Sequence, residues 1–196
     1  MNNGWGACSD PRKTAAVACA RRREFFCVAH AAGAACPAGR LGGDGTNTYD
    51  AASNTYTAAA AQTGAGLQKW VFNNGTWTLA YTLQAGLNLG VPYPVKGYPT
   101  GINAATNLPW SAATDGLRNI TGRVNRDGTV TIWAITSTVS GSGDQGADPN
   151  KLVMITDKLA ATTLPADESF VTARTARFGE AVRGVSFTPG TGLDTD

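Results

Sequence analysis

In the stretch Trp77–Leu83, Trp77, Leu79, Tyr81 and Leu83 alternate with Thr78, Ala80 and Thr82. A period of two puts the large apolar groups on one face of a strand, whereas a helix would scatter them around its circumference. Upstream, Leu67–Phe72 (LQKWVF) ends at Asn73-Asn74-Gly75. Asn-Gly supplies the two left-handed residues that a tight hairpin needs. The pair of runs therefore predicts a β-hairpin, and that hairpin sets the fold class.

The rest of the second half repeats the pattern. Leu117–Val124 leads through Asn125-Arg126-Asp127-Gly128 into Thr129–Ser137 (TVTIWAITS), and Lys151–Thr156 (KLVMIT), Ser169–Thr175 and Val182–Thr188 (VRGVSFT) follow. In VTIWAI and KLVMIT apolar groups occupy both parities, which predicts strands covered on both faces. Trp70, Trp77 and Trp133 are expected in the core. Residues 44–66 show no helical period and are expected as loop, anchored by Tyr49 and Tyr56. Residues 84–114 hold Pro92, Pro94, Pro99 and Pro109. A connection that long is either a functional insertion or hides a short strand near Leu87–Val91. About seven short strands with tight turns predict an all-β sandwich or propeller.

Composition divides the chain. All four cysteines (Cys8, Cys19, Cys27, Cys36) and the single histidine, His30, fall in residues 1–43, with six basic and two acidic side chains. Residues 44–196 carry 10 basic and 12 acidic groups and neither Cys nor His. This shift marks a boundary near Gly42–Asp44, giving an Ala/Arg/Cys-rich segment 1–43 and a β region 44–196. Ala and Arg favour a short helix over about 14–32, with Asp10-Pro11 at its start. The same bias is what GC-rich DNA yields in a shifted frame. A non-native or disordered stretch fused to the β region therefore stands beside the native reading, and the segment is expected to add little to the core. TAAVACA is short and precedes Arg21-Arg22-Arg23, the reverse of a secretory leader. No run of ~18 apolar residues predicts a transmembrane helix. A net charge of +2 is too mild to argue for a nucleic-acid partner.

The chemistry is sparse. The cysteines and His30 are poorly spaced for zinc, Cys27-x-x-His30 being the closest approach to a ligand pair. Incidental thiols or loose disulfides suit them better. The loop VSGSGDQGADPN offers Asp144, Asp148 and Asn150 as hard oxygen ligands for Ca²⁺, although Asp and Gly are also ordinary turn residues. No histidine accompanies the strands, so a Ser-His-Asp arrangement is excluded from the β region on inventory. Tyr93, Tyr98 and Trp110 lie in the Pro-rich connection. They are the candidate ligand-binding aromatics, suited to stacking on a carbohydrate or contacting a protein.

GLRNITGRVNRDGTVTIWAITS, NKLVMITD and VRGVSFTPG together resemble one blade, and the first strand of the next, in bacterial β-propellers of the NHL/YVTN-like sort. GLQKWVFNNGTWTLAYTL resembles the outer half of the preceding blade. The resemblance spans residues 64–190. It implies a partial propeller of two to three four-stranded antiparallel blades, from a secreted or surface protein that binds rather than catalyses. It brings no active site with it. A blade takes ~40–50 residues and a ring at least ~4 blades, so this chain cannot close a ring alone. The remaining blades are expected from a longer parent chain or from other copies, unless the strands form an open stack. The competing expectation is a hydrolase that uses Asp residues and a metal ion in a propeller channel.

Overall fold

The expected hairpin forms in the computed structural model, which describes residues 17–21, 24–29, 48–74, 76–143 and 148–188. In chain order the elements are β1 (Val17–Arg21), β2 (Glu24–Ala29), β3 (Tyr49–Asp50), β4 (Thr55–Tyr56), α1 (Thr57–Ala60), β5 (Gly66–Asn73) and β6 (Thr76–Leu83). They continue with β7 (Ile102–Asn103), β8 (Leu108–Pro109), β9 (Ala113–Val124), β10 (Thr129–Val139), β11 (Lys151–Lys158) and β12 (Val171–Thr175). Asn73 pairs with Thr76 across the β5–β6 turn, and Asn74 enters it at φ +49°.

Two four-stranded antiparallel sheets result, in the orders β1-β2-β5-β6 and β12-β11-β10-β9. Among the described residues the regular structure is all-β apart from the single turn of α1. The sheets share one core. Leu67, Tyr81 and Leu83 of the first meet Leu117, Val130, Ile132, Val153 and Ile155 of the second, with Leu87, Leu159 and Phe170 from the connections. Burying a side chain of this size stabilises by ~1.5–3 kcal/mol. A smaller cluster gathers Tyr56, Ala59, Ala113 and Val139, with Tyr49 against it. The two tyrosine rings stand 5.4 Å apart, and the described part of the stretch expected as loop instead carries β3, β4 and α1.

Several expectations are corrected. Val17–Arg21 and Glu24–Ala29 do not form a helix; they form β1 and β2, and β2 pairs with β5 from Glu24↔Val71 to Ala29↔Gly66. Phe25, Phe26, Cys27 and Val28 are strand formers, and a ladder on each side of β2 outweighs the weak helix preference of Ala and Arg. The ladder crosses the compositional boundary near residue 43; the rest of the 1–43 segment lies outside the described residues. Residues 182–188 join no strand. The amide of Asn150 takes both main-chain groups of Val182 (Nδ2 to O, 2.9 Å; Oδ1 from N, 2.7 Å), and Asn119 Oδ1 accepts from Val185 N at 3.0 Å. Side-chain amides thus satisfy backbone groups that a ladder would otherwise claim.

Coverage of the strands is also less even than expected. In β10, Val130, Ile132 and Ala134 are buried while Thr131 and Trp133 are half-buried. Both faces are sealed only from Ala134 onward. Trp133 is shielded by the Phe187 ring, edge-on at 5.3 Å. The β5–β6 ladder shifts register between Lys69 and Trp70, pairing Leu79 with Trp70 and Trp77 with Phe72. Trp77 and Leu79 therefore leave the face of Tyr81 and Leu83 and stand 40% and 46% exposed, and Trp70 is half-buried rather than in the core. In the long connection, Leu89 and Pro92 bridge to Thr114 and Ala113, and β7–β8 make a small hairpin.

Candidate functional site

Two polar clusters lie among these strands. The first brings together residues that the sequence singled out separately. Asp148 is buried and accepts three hydroxyls: Tyr98 and Ser142 at Oδ1, Ser140 at Oδ2. Tyr93, also from the Pro-rich connection, donates to Pro149 O at 2.7 Å, and the Lys151 ammonium sits 3.7 Å above its ring. Burial, then the hydrogen bond and charge of Asp148, push the Tyr98 phenol up to about 12. Burial raises Tyr93 further, with the Asp148 charge behind it, and burial lowers Lys151. The Tyr98 hydroxyl is thereby pinned while its ring lies edge-on to Phe178 at 6.2 Å. Phe178 is 60% exposed.

The remaining candidates fall differently. Trp110 is half-buried, its main-chain N–H bonded to Gly101 O. Asn150 is fully buried, and its amide is engaged by Thr136 O and Val182. Asp144 lies outside the described residues. Asp148 and Asn150 thus spend their oxygens on protein donors, as structural anchors do. Cys8, His30 and Cys36 lie outside the described residues, and Cys19 and Cys27 are described as strand backbone alone. Among the described residues no group of three His, Cys, Asp or Glu side chains is gathered in a metal-binding arrangement.

The second cluster was not anticipated. Lys69 on β5 is fully buried. Its ammonium meets Asp157 Oδ2 at 2.9 Å, Lys158 O at 2.7 Å, Leu159 O at 2.9 Å and the Tyr81 hydroxyl at 3.0 Å. Tyr81 on β6 donates to the other oxygen of Asp157. Glu168, from the β11–β12 connection, packs its carboxyl against Asp157 and accepts from Lys158 N at 3.2 Å. Burial, then the hydrogen bond and the negative charge of Asp157, raise the Glu168 carboxyl to about 7. Beside it opens a cleft of about 360 Å³ lined by Thr129, Met154, Thr156, Glu168, Ser169 and Val171.

A signal for this cluster was present. Lys69 has the parity of Leu67, and Asp157 that of Val153 and Ile155. A basic and an acidic residue on the apolar parity of two strands point to a buried pair. No family model, curated protein or solved structure matches the chain.

Proposed function

We propose that the chain is a non-enzymatic binding module, formed from two blades of an incomplete β-propeller in a secreted or surface protein. Two stacked four-stranded antiparallel sheets, one of them a strict meander, support the reading as neighbouring blades. The observation behind the binding role is the Tyr98–Phe178 pair. A ring held at its hydroxyl by buried Asp148 loses little further freedom on contact with a ligand, and Phe178 beside it is open to solvent. Rigid aromatic faces ringed by polar groups suit a carbohydrate.

The hydrolase reading has one observation in its favour, the Asp157–Glu168 pair beside a cleft. Asp157 is fully buried, so a substrate would meet one carboxyl of that pair. Glycoside hydrolysis needs two carboxyls flanking the scissile bond. Asp50 and Asp127 bond their own turns, which is structural work. Affinity electrophoresis through gels containing soluble polysaccharides tests the binding reading. The wild-type chain is expected to be retarded by at least one of them, and Phe178→Ala to lose that retardation with an unchanged melting temperature. Free migration of the wild type through every polysaccharide, or retention by Phe178→Ala, overturns it.

A further inference from the structure

The Asp157–Glu168 contact is an arrangement of two acceptors. Asp157 is satisfied from below, with Lys69 on one oxygen and the Tyr81 hydroxyl on the other. Glu168 Oε1 accepts from Lys158 N, but Oε2 is enclosed and no donor reaches it. Two carboxyls meet favourably only when one carries a proton and donates it to the other.

Among the described residues, the cations near Glu168 are engaged by other groups. From β5 comes Lys69, committed to Asp157 and to the carbonyls of residues 158 and 159. From β6 comes Tyr81, which donates to Asp157. From β11 come Asp157 itself and Lys158, whose ammonium points to Asp167 at 3.8 Å with both side chains largely in solvent. Asp167, next to Glu168 in the connection, adds negative charge.

The place of Glu168 in the chain gives the contact its leverage. At the ends of the connection, Leu159 and Phe170 are buried in the core, and Phe170 N bonds Ala85 O at 2.8 Å. Gly86 makes that end possible: at φ +84°, a Cβ there would lie 2.3 Å from Phe170 O. Between the ends, residues 162–164 and 166–167 are exposed, Leu164 among them. Glu168 ties this stretch back onto β11 at Lys158 N, beside the solvent-exposed Lys158–Asp167 pair, and it forms a wall of the cleft.

We propose that Asp157 and Glu168 form a proton-operated latch: a proton shared between the two carboxyls holds the 159–170 connection against β11, and its loss releases the connection and opens the cleft. With the proton gone, two adjacent carboxylates repel and an enclosed oxygen must reach water. The swing of Glu168 outward removes the acceptor from Lys158 N. The raised carboxyl of Glu168, at about 7, places this transition near neutrality.

Hydrogen exchange of the full chain tests the latch. Protection factors for peptides covering residues 157–170 are compared at pH 6 and pH 8, after correction for intrinsic exchange. The expected result is a fall of ~10-fold or more on raising the pH, with the β9–β10 peptides unchanged. Glu168→Gln keeps a donor facing Asp157 at every pH and should retain the pH 6 protection at pH 8. Equal protection at both pH values in the wild type, or an equal fall in Glu168→Gln, overturns the proposal. Should the variant not fold, ¹³C-carboxyl NMR of the wild-type chain decides. A Glu168 midpoint near 7 sustains the latch, and one in the ordinary 4–5 range overturns it.

Discussion

Replacing Lys69 should be among the most damaging single changes in this chain. Lys69 and Asp157 are both fully buried, and their 2.9 Å contact joins β5 of one sheet to β11 of the other. Removing one partner of such a pair costs ~3–5 kcal/mol, because the other charge is left in a poor solvent. A further loss adds to this: Leu159 O loses the ammonium donor, at ~1–3 kcal/mol for an unsatisfied carbonyl, whereas Lys158 O keeps Ala161 N as a donor. A net loss of ~4–6 kcal/mol follows for Lys69→Met, which keeps the stem and removes the charge. Domains of this size have ~5–15 kcal/mol in all, so the variant should sit near the edge of folding. Urea titrations followed by tryptophan fluorescence measure it. A loss under ~1 kcal/mol would refute the claim that this pair is sealed and uncompensated when broken.

Three other outcomes are expected. The Glu168 carboxyl is raised from 4.5 to about 7, so the folded state holds a proton that the unfolded chain gives up; the associated stability is complete below pH 4.5 and lost as the pH climbs through 7. The full shift corresponds to ~3 kcal/mol, which solvent screening at this partly open site reduces to ~1–2, and Glu168→Gln should flatten the urea midpoints between pH 5 and 8. Asn150→Ala removes the amide that holds Thr136 O and both main-chain groups of Val182; a loss of ~2–4 kcal/mol is expected, with proteases gaining access to residues 182–188. Trp133→Ala should cost ~2 kcal/mol, below the ~3–5 of a fully buried indole, and should be non-additive with Phe187→Ala by ~0.5–1.5 kcal/mol in a double-mutant cycle.

What the sequence made legible was the local part of the fold. The β5–β6 hairpin could be read from Asn74-Gly75 and the Trp77–Leu83 alternation because its register depends on a two-residue turn and on adjacent side chains. The β9–β10 pair was readable for the same reason, with Asn125 N bonded to Thr129 O across the expected turn. Residues 182–188 misled because VRGVSFT has the composition of a strand, while its partners, Asn119 and Asn150, are side chains 66 and 32 residues away. Val17–Ala29 misled because Ala-rich sequence is neutral between conformations until a neighbour such as β5 supplies a ladder. Trp77 was expected in the core, and nothing in its alternation told that the ladder would shift register at Ala80 and turn it to the other face.

The site residues divide along the same line. Tyr93, Tyr98, Asp148 and Asn150 were noticed because their loops are rich in Pro, Gly and Asp, but loop composition does not say that a tyrosine hydroxyl from one loop will satisfy a carboxylate in another. Lys69, Tyr81 and Asp157 escaped notice because each sits inside an ordinary strand. Their assembly follows from stacking one sheet on the other, a step with no local signal except charge on the apolar parity. That step also explains why such a costly pair is tolerated. A one-residue slip of β5 or β11 would turn Lys69 or Asp157 to the opposite face and leave its partner buried alone. The same slip would turn Leu67 or Val153 out of the core, so the ion pair adds its penalty to that of the apolar residues and reinforces the register in which the two sheets align. The same stacking seats Asp157 at the floor of the β11–β12 connection, where burial first, and then the hydrogen bond and charge of Asp157, raise the Glu168 carboxyl to about 7.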